Sequence, residues 1–140
     1  MKKLLIIPML FMCSMVIGQS KKIIGKPIKI ENLEVAQHDF PESMYLPDAK
    51  KIASDIGDGW RVPTIKELKL LYINRYKIGG FNTDKNNDIT LYISSTEIYG
   101  SGGTYREIKI IDFSDGTIGW DFWCCKGPGQ KVRFVKTIKK

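Results

Sequence analysis

The sequence predicts an α+β domain in which two helices pack on small antiparallel sheets. Three observations carry this expectation. Two amphipathic helical segments fall in the first half of the chain, and short strands separated by glycine turns fill the second half. The length, 140 residues with 43% hydrophobic content, supports one core and is too short for two comfortable ones.

Ahead of the domain, Lys2 and Lys3 precede an apolar run from Leu4 to Ile17, broken by Pro8 and Ser14. That run is shorter than the ~20 apolar residues of a spanning helix, so residues 1–18 are expected to be a secretory signal peptide cut before Gln19. Residues 19–140 are then a single domain, located in the periplasm, at the cell surface or outside the cell. A lipoprotein is the alternative, but Cys13 follows Leu10-Phe11-Met12 where a small residue is wanted. Cleavage takes Lys2 and Lys3 with it, and the formal charge falls from +7 to +5, with 20 Lys and Arg against 15 Asp and Glu. Scattered lysines suit a solvated face with some affinity for polyanions, and an exported chain is not expected to meet nucleic acid. After cleavage no transmembrane segment is expected.

Along the domain, Ile28 and Ile30 alternate with lysines between turn residues at 24–27 and 31–32, so 21–35 reads as two short strands or one hairpin. Residues 37–46 read as a loop, and its His38, the only histidine, is given no catalytic role. Ala49, Ile52, Ala53 and Ile56 then fall at helical spacing, with Pro47 in the first turn and Gly57 or Gly59 as the stop.

The stretch DGWRVPTIKEL, residues 58–68, follows directly. Thr64 and Glu67 form a capping box, in which each side chain bonds the backbone N–H of the other. A second helix therefore starts here, with Ile65, Leu68, Leu71, Tyr72 and Tyr76 as its buried stripe and Gly79-Gly80 as its end. Pro63 keeps the preceding residue extended, which points Trp60 and Val62 to one side and Arg61 to the other. Trp60 is expected to fill the crevice between the two helices as core, in preference to stacking on a ligand. Beyond the helices, residues 91–96, 105–113, 117–123 and 131–138 read as strands, with a glycine-rich loop at 99–103 and a turn at 114–116.

Cleavage of the signal leaves only Cys124 and Cys125, which is not a disulfide framework. Adjacent α-carbons lie ~3.8 Å apart, below the usual ~4.4–6.8 Å of a disulfide. Free thiols, an intermolecular bridge and a strained vicinal bridge all remain open. Two sulfurs and one imidazole without ligand spacing make a poor zinc site, and no cofactor is expected.

DGWRVPTIKEL, GGFN at 79–82, YISSTE at 92–97, DFSDG at 112–116 and VRFVK at 132–136 stand in an order that resembles the DUF1566 family. This family is also called the Lcl C-terminal domain, and it is similar to the Fibrobacter succinogenes major paralogous domain. The resemblance covers roughly residues 32–137. It implies a C-type-lectin-like fold in an exported bacterial protein, distantly related to formylglycine-generating enzymes, with adhesins for sulfated glycans or host surfaces among its better-known members. Trp60, Arg61, Pro63, Thr64 and Glu67, with Ser94, Ser95 and Thr96, match its structural motifs. Ile93 stands where the family has tryptophan, and Phe134 where many members have a cysteine whose partner would lie near Ala53. Residues 120–125 are more aromatic than the family's polar equivalent.

Successive side chains alternate along a strand, so Trp120, Phe122 and Trp123 cannot all be buried on one face. Trp120 and Trp123, with Arg106, Lys109 and Arg133 on nearby strands, are the candidate ligand-binding residues, suited to sugar rings bearing sulfate or carboxylate. A second layer of core or a homo-oligomer interface is the competing role for the same aromatics. Asn82, Asp84, Asn86 and Asp88 carry oxygens at every second residue, as a calcium loop does. Glycine and glutamate are missing where an EF-hand wants them, so a plain turn is expected. No enzyme is expected: the formylglycine-generating relatives use a separated cysteine pair, and Ser94-Ser95-Thr96 has no base beside it.

Overall fold

The computed structural model describes residues 22–86, 88–100, 103, 106–124 and 127–140. The signal-peptide reading with its cleavage site and Cys13 lies outside the described residues, as do Tyr105, Cys125 and Lys126.

Strands β1 (Ile28–Ile30) and β2 (Leu33–Val35) form the expected antiparallel hairpin, turning through Glu31 at φ 52. On its other edge β2 pairs antiparallel with β6 (Val135–Thr137). The two ends of the domain are therefore tied into one three-stranded sheet, β1-β2-β6. Helix α1 (Leu46–Ile56) buries Leu46, Ala49 and Ala53, and Gly57 at φ 71 ends it.

Helix α2 (Ile65–Ile73) opens with the capping box: Thr64 Oγ1 accepts from Glu67 N at 3.3 Å, and Glu67 Oε1 accepts from Thr64 N at 2.9 Å. The helix does not continue to Gly79 as expected. Asn74 interrupts it, its side-chain amide donating to Leu70 O at 2.9 Å, and a short turn α3 (Arg75–Ile78) follows. Such local side-chain bonds compete with the helical ladder. The break rotates Tyr76 out of the buried stripe to 82% exposure, beneath the Arg75 guanidinium.

The second sheet, in order β3-β4-β5, is an antiparallel meander of β3 (Leu91–Tyr99), β4 (Arg106–Asp112) and β5 (Ile118–Phe122), with a register shift in β3 between Ile93 and Glu97. Alternation sends neighbouring residues to opposite faces, and this sheet separates two cores. Tyr92 and Ile111 join Leu68, Leu71 and Phe113 under α2. Ile93, Ile108 and Ile110 join Ala49, Ala53, Val132 and Phe134 under α1.

Trp60 is core, 8% exposed, but it belongs to the α1 cluster while the buried residues of α2 belong to the other. It is thus not wedged between the helices. Backbone bonds between Arg61 and Val135, 2.8 and 2.9 Å, hold residues 60–62 in extended register beside β6, and this aims Trp60 and Val62 at α1. Arg61 points the other way. Its guanidinium grips Glu67 through two bonds of 2.7 Å and reaches Thr137 Oγ1 at 2.7 Å. Burial pushes the Glu67 carboxyl up, but these bonds and those from Thr64 hold it below its ordinary value.

Candidate functional site

Strands β4 and β5 carry most of the candidate binding residues. In their register Lys109 stands opposite Trp120, Glu107 opposite Phe122 and Ile111 opposite Ile118. Directly opposed residues of an antiparallel pair project to the same face. Trp120 and Lys109 therefore share one face, on which Trp120 is 57% exposed. This is the face that buries Ile111 under α2, extended beyond the helix into solvent.

Trp123 and Arg106 lie on the reverse face. The Arg106 guanidinium stacks over the Trp123 ring at 5.2 Å, and Trp123 Nε1 donates to Glu97 Oε1 at 3.2 Å. Lys50 of α1 reaches the same oxygen at 3.0 Å and holds the Glu97 carboxyl below its ordinary value. With its ring also packed against the α1 core, Trp123 is engaged on several sides. It closes the end of the core where α1 meets β3, so the two tryptophans do not make one platform.

Arg133 does not join either group. It is fully buried, with Nε 2.6 Å from Asp39 Oδ1 and Nη1 donating to the carbonyls of Ala36, Gln37 and Gly79 at 3.1–3.2 Å. Its guanidinium lies 4.0 Å over Phe81, and the second Asp39 oxygen accepts from Tyr92 Oη at 2.6 Å. A surface role in meeting sulfate is corrected to a core role: Arg133 ties three segments distant in sequence to one charge. A side chain at Gly80, φ 73, would meet Arg133 Nη2 at 3.3 Å, which accounts for the second glycine of GGFN.

The YISSTE motif is likewise structural. Ser94 Oγ donates to Lys109 O at 2.7 Å, Ser95 N to Pro63 O at 2.8 Å, and Thr96 Oγ1 accepts from Ile65 N at 2.9 Å. The bonds of Ser95 and Thr96 bolt the opening of α2 to β3, and that of Ser94 ties β3 to β4. The loop with calcium-like spacing uses its oxygens for turns. Asn82 Oδ1 accepts from Asp84 N and Asp84 Oδ1 from Asn86 N, while Asp88 accepts from Ile89 N and pairs with Lys131 at 2.7 Å. Among the described residues no three His, Cys, Asp or Glu side chains converge as a metal site. Cys124 is disulfide-bonded, which removes the free thiol from its open alternatives.

The sequence reading missed Asp39 and Glu97, the acceptors that fix Arg133 and Trp123. Asp39 sits in an undistinguished loop, and Glu97 enters only as the last letter of YISSTE. Neither position predicts a partner 94 or 26 residues away.

Among solved structures the chain is similar to EMS16, an antagonist of the collagen receptor integrin alpha2beta1 (GPIa/IIa). The TM-score is 0.50 at 13% identity, covering 81% of this chain and 97% of that one. The fold is C-type-lectin-like. No family model and no curated protein matches the chain. Within this C-type-lectin-like domain, Ala53 and Phe134, where the family resemblance leads one to look for a cysteine bridge, are both buried in the α1 cluster. Apolar packing fills the space instead. No helix of the described residues is long and apolar enough to cross a membrane.

Proposed function

We propose that this chain is an exported, noncatalytic binding module of the DUF1566 kind. Its ligand class is a glycan bearing sulfate or carboxylate groups, bound on the face of β4 and β5 that carries Trp120 and Lys109. The observation that carries the reading is the exposed Trp120 standing directly opposite Lys109 in the strand register. An aromatic face stacks on the apolar side of a sugar ring, and an adjacent cation meets its anionic substituents. The order of the five sequence motifs supports the family, and the lectin-like fold supports a binding role in general.

The test is a glycan array on the purified protein, followed by titration with a sulfated polysaccharide in rising salt. Binding that weakens with salt and is lost in Trp120→Ala supports the reading, since screening shortens the reach of an exposed charge. Equal binding by Trp120→Ala and the parent protein places the ligand elsewhere, and no binding to any glycan ends the proposal.

A further inference from the structure

We propose that the protein self-associates by pairing β5 with β5 of a second copy, antiparallel and around a two-fold axis at Gly119. The observation is a set of outward-facing backbone groups. Asp112 N donates to Thr117 O and Trp123 N to Arg106 O, so the odd-numbered residues of β5 direct their N–H and C=O groups at β4. By the alternation of an antiparallel ladder, Ile118 and Trp120 direct theirs away from the sheet. Both side chains are exposed, at 41% and 57%.

The other sheet edges are defended. Along β3, Ile93 N bonds Lys131 O and Ser95 N bonds Pro63 O, and β6 is covered at Val135 by Arg61. The open side of β1 carries Lys29 and follows Lys26 and Pro27, the charges and proline that keep edges from pairing. β5 has no lysine, proline or bulge. In a chain of net charge +7 its only charge is Asp121, whose carboxylate already accepts from Phe122 N at 2.7 Å and Gln130 Nε2 at 2.6 Å. The strand thus lacks the like charges that would hold two copies apart.

The register follows from what each alternative opposes. An axis at Asp121 sets two carboxylates face to face. An axis at Trp120 calls on the Phe122 N–H, which is given to Asp121. An axis at Gly119 places Ile118 opposite Trp120 of the second copy twice over. Each such pair exchanges both of its backbone bonds and sets a β-branched side chain against an aromatic one, a favourable cross-strand pair. Gly119 then meets its own copy at the close, non-hydrogen-bonded spacing. A peptide from another protein would match the backbone groups, but only a second copy brings the same complementarity from both sides. Side chains stand perpendicular to the sheet, so the faces that carry Trp120 remain open, and the inference holds with or without a glycan ligand.

Sedimentation of the purified protein across a concentration series, without ligand, is expected to show a monomer–dimer equilibrium. Ile118→Pro removes one outward N–H per copy at the first residue of an edge strand, where proline is tolerated. Two lost bonds per dimer should weaken association by roughly tenfold or more. If that variant does not fold, Ile118→Lys places a charge on the edge and should do the same.

Gly119→Cys tests the register. A Cβ there meets only Ile110 side-chain atoms at 3.7 and 3.9 Å, and non-hydrogen-bonded pairs hold α-carbons about 4.5 Å apart, within disulfide reach. It should cross-link on mild oxidation well above the parent protein, while Trp120→Cys should not. A protein that stays monomeric at every concentration, a dimer unchanged by Ile118→Lys, or cross-linking at 120 in place of 119 would each overturn the proposal.

Discussion

Lys109 and Trp120 stand opposite each other on adjacent strands, on a face that Trp123 does not share. Trp120 is mostly exposed, whereas Trp123 packs on the α1 core, bonds Glu97 and lies under Arg106. Trp120→Ala is accordingly expected to change stability by less than about 0.5 kcal/mol, as surface substitutions do, and to weaken glycan binding by about 1 kcal/mol or more. Trp123→Ala should cost roughly 2 kcal/mol of stability, less than the ~3–5 kcal/mol of a fully buried aromatic. Denaturant unfolding of both variants beside binding titrations checks the contrast. Equal stability losses would mean that Trp120 is also buried, in the core or at a subunit interface.

The start of α2 offers the simplest test of local structure. Thr64→Ala removes the acceptor of the Glu67 N–H and should cost about 1 kcal/mol. Because Glu67 also holds Arg61, the variant keeps that ion pair, and the loss isolates the cap. An unchanged unfolding midpoint would show that the cap contributes nothing to this helix.

Much of this architecture is readable from local signals, and what is not readable is long-range. The capping box, the Pro47 start, the Glu31 turn and the strand meander each rest on residues within a few positions of one another. Asn74 breaks α2 by a bond to Leu70 that a helical wheel does not anticipate, because Ile65, Leu68, Leu71, Tyr72 and Tyr76 keep helical spacing across the break. For the candidate site, strand alternation requires that the aromatics of β5 divide between two faces. Which face meets solvent depends on where α1 and α2 come to rest. Arg133 shows the same limit: VRFVK alternates like a surface-exposed strand, yet its arginine is buried because Asp39 and three carbonyls converge on it from elsewhere in the chain.

Acid should weaken the turn between β4 and β5. Burial raises the Asp112 carboxyl, but bonds from Ser114 and Thr90, with Lys85 nearby, outweigh it and bring the group from 3.8 down to about 2. A carboxyl depressed in the folded state stabilises the fold above its unfolded pKa, and that contribution is lost as pH falls through the folded value. Asp112 should therefore add stability fully above about pH 4 and lose it progressively toward pH 2. Asp112→Asn should flatten the fall in unfolding free energy across that window. An identical slope in the variant and the parent protein would assign the acid sensitivity to other carboxyls.

The buried Arg133 cluster should dominate the response to single substitutions. Replacing Arg133 with Met keeps much of its length but strands the Asp39 carboxylate and leaves the carbonyls of Ala36, Gln37 and Gly79 without their donor. Removing one member of a buried ion pair costs about 3–5 kcal/mol, largely because the other charge remains unpaired. The double variant Arg133→Met, Asp39→Asn removes both charges and should recover part of that loss. Arg133→Lys retains the charge but not the planar fork that reaches Asp39 and the carbonyls together, so it should fall between Met and the parent protein. Denaturant unfolding of the parent protein, Arg133→Met, Asp39→Asn and the double variant measures the coupling directly. A coupling near zero would mean that the carbonyl bonds and the stack on Phe81, independent of Asp39, hold Arg133 in the core.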